Sequence, residues 1–119
     1  MTIRILAIDD SPTMRGLVAA ALAPEGFDLH LAEDGLDGLA RLQQADPHLV
    51  ITDINMPRLD GFGVIDGVRA NPAYTSVPIL VLTTESGNDL KDREAFRQST
   101  LTAETVKIYA KLIAENSSK

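Results

Sequence analysis

Residues 3–10 read IRILAIDD and residues 49–53 read LVITD, two apolar runs that each stop on carboxylates. A short run rich in Ile, Leu and Val has the pattern of a strand buried on both faces. A third such run, PILVLTT at 78–84, stops on hydroxyls instead. Parallel strands of this kind carry their ligands outside their carboxyl ends. Asp9, Asp10, Asp53 and Thr83 are then expected on one rim. Three converging carboxylates suit a hard divalent cation such as Mg²⁺, and acids, a metal and a hydroxyl together make a phosphoryl-transfer constellation.

The segments between the runs read as helices. Ser11-Pro12 offers an N-cap followed by proline at the first helical position, and Met14, Leu17, Val18, Ala21 and Leu22 recur at helical spacing. Pro24 and Gly26 close that helix. FDLHLA, Phe27 to Ala32, alternates as a strand with one partly exposed face does. Asp34 is placed to cap a second helix with an apolar stripe of Leu36, Leu39 and Ala40, broken by Asp46-Pro47. DINMPRLDG is a loop, after which Phe62, Ile65 and Val68 predict a third helix ended by Asn71-Pro72. Strands alternating with helices predict a doubly wound parallel α/β sheet with right-handed crossovers.

Composition narrows the function. With 119 residues, 45% of them apolar, the chain is expected to form one domain over residues 1–119 without disulfides, and it contains no cysteine. The start lacks a signal peptide's long apolar centre and no stretch has the length of a membrane span, so a cytoplasmic protein away from membranes is expected. A net charge of −6 opposes contact with a phosphate backbone, and 4% aromatic content leaves no platform for stacking bases. His30 and His48 lack a convergent ligand set and are assigned no metal or catalytic role.

ILAIDDS, LVITDINMPRLDGFGVI and PILVLTTES together resemble the receiver domain of two-component response regulators, in particular single-domain chemotaxis regulators of the CheY type. The resemblance covers roughly residues 3–93. It implies the flavodoxin-like receiver fold with strand order 2-1-3-4-5. It also implies that Asp53 is the phosphoacceptor and that Asp9, Asp10, Asp53 and the backbone carbonyl of Asn55 hold Mg²⁺. Thr83 matches the switch hydroxyl that bonds a phosphoryl oxygen, and Met56-Pro57 and Gly61 match the loop shaping the pocket. Asn55 and Glu85, each two residues beyond a site residue, are expected to tune dephosphorylation. The implied partners are a histidine kinase as phosphodonor and a downstream target such as a flagellar motor component. The implied function is a phosphorylation-dependent switch with slow autodephosphorylation, not an enzyme.

The C-terminal quarter departs from the family. Receiver domains carry a fifth strand ending in Lys-Pro, and no Lys-Pro occurs here. In one alignment TAETVKIYAKLI, residues 102–113, is the last helix and the fifth strand is missing; in the other TVKIY is that strand, with Lys107 facing the phosphate and Tyr109 near the switch. Without a fifth strand, PILVLT becomes an exposed edge that invites a homodimer or an exchanged C-terminal segment. Two other functions share these acids. One is a pseudo-receiver that binds without switching. The other is an aspartyl-phosphate phosphohydrolase, which needs an Asp-x-Asp after its first strand and a cap this chain has no residues for.

Overall fold

The computed structural model describes residues 2–82. Thr83, Thr84, Glu85, Lys107, Tyr109 and the choice between a fifth strand and a last helix lie outside the described residues. Four strands, β1 (Arg4–Ile8), β2 (Asp28–Ala32), β3 (Leu49–Asp53) and β4 (Ile79–Leu82), alternate with three helices, α1 (Pro12–Leu22), α2 (Gly35–Ala45) and α3 (Gly61–Ala70). All pairings are parallel and the strand order is β2-β1-β3-β4. The chain steps outward from β1 to β2, then returns across β1 to β3. The strand order therefore reverses between β1 and β3, where doubly wound sheets bind their ligands.

Period-two alternation sorts the side chains between two layers. Ile5, Ala7, Leu49 and Ile51 point to one face and pack with Val18 and Leu22 of α1. Leu6, Ile8 and Val50 point to the other and pack with Leu42 and Ala45 of α2 and Val64 and Val68 of α3. Burial on both sides explains the unbroken apolar runs Ile5–Ile8 in β1 and Leu49–Ile51 in β3, whereas β2, at the sheet's margin, keeps its first residue exposed.

Side chains define the helix starts. Ser11 Oγ accepts the Met14 N–H at 3.2 Å, Asp34 accepts the Asp37 N–H at 2.8 Å, and Asp60 accepts the Gly63 N–H at 2.9 Å, each satisfying an otherwise unpaired donor. Pro24 sits in a short 3₁₀ turn closed by Gly26 at φ +84°, a left-handed conformation that glycine adopts without a Cβ clash.

Two apolar stripes are rotated from their expected positions. α2 buries Gly35, Gly38, Leu42 and Ala45, leaving Leu39 half-buried and Leu36 and Ala40 exposed. α3 buries Gly61, Val64 and Val68, leaving Ile65 half-buried and Phe62 exposed. The physical reason is the glycines. A Cβ on Gly38 would lie 2.4 Å from the Ile8 side chain, so the helix face without side chains is the one set against the sheet. Hydrophobic periodicity cannot register a face whose packing depends on missing atoms.

Candidate functional site

Register brings the acids together. Ile8 lies opposite Thr52 across the β1–β3 pair, so the next residue on each strand, Asp9 and Asp53, reaches the carboxyl rim at one level. Asp10 follows in the turn into α1. One carboxylate oxygen from each of Asp9, Asp10 and Asp53 lies within 4.8 Å of the others. The structure thus collects the three acids that the sequence singled out. Asn55 sits two residues beyond Asp53, exposed in the loop before α3.

Backbone donors hold two of the carboxylates. The Ser11 N–H donates to Asp9 Oδ1 at 2.9 Å, and the Ile54 N–H donates to Asp53 Oδ1 at 2.7 Å. Asp9 is almost fully buried. Burial pushes its carboxyl up to about 6; the Ser11 N–H and the nearby Arg15 oppose this, while the charges of Asp53 and Asp10 reinforce it. Crowded anions in a partly dry rim call for a divalent counter-charge, and an all-oxygen donor set fits Mg²⁺ rather than a softer metal.

Residues with no assigned role in the sequence shape this rim. Arg15 donates from Nη1 to the backbone carbonyl of Asp9 at 2.6 Å. Arg58, at φ +69°, pairs its guanidinium with the buried Asp34 carboxylate at the start of α2. That tie joins the loop beyond Asp53 to the β2–α2 turn. The Asp37 N–H and then Arg58 hold the Asp34 carboxyl below its ordinary range, against the opposing effect of burial. The other end of the loop is fixed by the Gly61 N–H, which donates to the Ile54 carbonyl at 2.8 Å. The histidines lie away from the acids: His48 Nδ1 accepts the Arg4 N–H at 2.9 Å at the amino end of β1, and His30 lies 3.4 Å from Asp28.

Gly61 packs directly against the backbone at the start of the loop. A Cβ there would meet the Asp53 carbonyl oxygen at 2.5 Å and the Ile54 Cα at 2.8 Å, both backbone atoms. Gly61→Ala is expected to destabilise the fold by about 1–3 kcal/mol in chemical denaturation. Mg²⁺ binding should weaken as Asp53 is displaced. An Ala variant with parental stability would show that the loop yields freely.

Comparison with known proteins agrees with this geometry. A model of the response regulator receiver domain matches residues 5–110. The chain belongs to the response regulator receiver family. It is 37% identical over 94 residues to a probable chemotaxis protein CheY of Rhizobium etli, across 78% of this chain and 73% of that one. It is 35% identical over 85 residues to protein PilG of Pseudomonas aeruginosa, across 71% of this chain but only 63% of PilG. Among solved structures, Vibrio cholerae chemotaxis protein CheY4 is 31% identical with a TM-score of 0.74, covering 95% of this chain and 99% of CheY4. Receiver domains are phosphorelay signalling modules rather than enzymes, take phosphoryl groups from histidine kinases, and generally bind Mg²⁺ in an acidic pocket. This structure brings the carboxylates of Asp9, Asp10 and Asp53 into a cluster of the kind that can hold a metal ion. Among the described residues no helix is long and apolar enough to cross a membrane.

Proposed function

We propose that this receiver domain is a phosphorylation-dependent switch in which Asp53 accepts a phosphoryl group from a histidine kinase. The observation that carries the reading is the convergence of the three carboxylates at the point where the strand order reverses. Asp9, Asp10, Asp53 and the Asn55 backbone carbonyl would hold the cation. Mg²⁺, when bound, offsets the charge shared by carboxylate and phosphoryl oxygens.

Asp53 is held for attack by its strand and by the Ile54 N–H on Oδ1. Its carboxylate forms a bond to phosphorus as the bond to the histidine nitrogen breaks, and the imidazole leaves as the neutral base after taking a proton. Thr83 is assigned the hydroxyl that bonds a phosphoryl oxygen of the product. Hydrolysis of the acyl phosphate returns the free carboxylate, and Asn55 and Glu85 are assigned the tuning of that rate. The similarity to chemotaxis-named relatives supports a target in a motility apparatus, reached in the cytoplasm.

The test is direct. The full chain is incubated with acetyl phosphate and Mg²⁺, then examined by intact mass. One added phosphoryl group is expected, and no gain when the metal is chelated before acetyl phosphate is added. No Mg²⁺-dependent gain in mass would overturn the assignment.

A further inference from the structure

We infer that Arg15 is the rim cation that admits dianionic phosphodonors to Asp53, an assignment that rests on the phosphoacceptor reading above. Three observations place it there. Its guanidinium is anchored on the Asp9 carbonyl at 2.6 Å, beside the acids rather than along the solvated flank of α1. It is half-buried, so an incoming anion can still reach it. It also lies in the first turn of α1, beyond the Ser11 cap, where the helix dipole disfavours a cation. The last turn of α1, which favours a cation, holds none. A cation at the wrong end of its helix is compensated by the carboxylates beside it, and such local violations mark functional positions.

The charge count says what the guanidinium does. Among the described residues, the three ionised carboxylates around one divalent cation leave a single net negative charge. A dianionic donor approaching that charge is repelled at contact, and Arg15 cancels it. The same cation must also oppose Mg²⁺ at the cluster. Arg15 is thus expected to strengthen one step and weaken the other, a pairing that a purely structural residue does not produce.

The experiment uses the full chain with Arg15→Gln, which keeps an N–H donor for the Asp9 carbonyl but no charge, and Arg15→Lys, which keeps the charge. Mg²⁺ binding is measured by calorimetry. Phosphorylation rates are measured with dianionic acetyl phosphate and with the less negative phosphoramidate. Arg15→Gln should bind Mg²⁺ about two- to fivefold more tightly yet react about three- to tenfold more slowly with acetyl phosphate. It should be less impaired with phosphoramidate, and Arg15→Lys should restore the parental pattern. Weaker Mg²⁺ binding in Arg15→Gln, or equal slowing with both donors, overturns the inference, because both mark lost structure rather than lost charge. Parental rates in Arg15→Gln overturn it alone. Failure of the parent chain to be phosphorylated overturns the phosphoacceptor reading and this inference together.

Discussion

Asp53→Asn is expected to abolish phosphorylation by acetyl phosphate, slowing it by at least about a thousandfold, while leaving the fold intact. The substitution is nearly isosteric, and the amide oxygen can still accept the Ile54 N–H that now reaches Oδ1 at 2.7 Å. An amide oxygen is a poor nucleophile toward phosphorus, and the variant cannot form the acyl phosphate. It also removes one of three negative charges that converge within 4.8 Å, so Mg²⁺ binding should weaken in the same protein. Intact mass reports the first effect, calorimetry the second, and far-UV circular dichroism the unchanged fold. A mass gain that persists in Asp53→Asn would move the acceptor to another group at the rim, Asp10 being the exposed candidate.

How much of this was legible before any coordinates follows from which interactions leave a trace in composition. β1 and β3 are buried on both faces, so Ile5–Ile8 and Leu49–Ile51 are apolar without a break and the runs stand out; β2 alternates because one face is partly open. The caps at Ser11 and Asp34 were readable because capping is a local bond over three residues. Asp9, Asp10 and Asp53 were readable because parallel pairing sends strand ends to one rim, whatever the exact register. The inward faces of α2 and α3 were not, since they turn on Gly35, Gly38 and Gly61, whose contribution is the close approach of backbone and neighbouring side chains. The ties from Arg15 to the Asp9 carbonyl and from Arg58 to Asp34 were equally hidden. A long flexible side chain can reach many acceptors, and only the folded geometry selects one. For Arg15 the single sequence signal is its position, a cation in the first turn of a helix.

Asp9→Asn should make the metal-free protein more stable at neutral pH while removing most of its Mg²⁺ affinity. In the fold the Asp9 carboxyl is pushed from its ordinary value of 3.8 up to about 6, first by burial and then, against the Ser11 N–H, by Asp53 and Asp10. Between those two values the folded state binds more protons than the unfolded chain. Stability from this group therefore falls as pH rises from about 3.8 to about 6, and the whole penalty is present above 6. The size of that penalty at pH 7 is on the order of 2–3 kcal/mol. Asn keeps the oxygen that accepts the Ser11 N–H at 2.9 Å and carries no charge to desolvate. Its amide must find a partner at the rim, so the gain should be about 1–2 kcal/mol. In urea titrations with a chelator the variant should exceed the parent at pH 7, and the difference should vanish toward pH 4. Saturating Mg²⁺ should reverse the order, because a cation that binds only the folded parent adds about 2.7 kcal/mol at a hundredfold excess over its dissociation constant. A variant less stable than the parent at pH 7 without metal would mean that Asp9 is held by its hydrogen bonds more strongly than burial opposes it, and the rim would then be a preformed acidic turn rather than a site waiting on a cation.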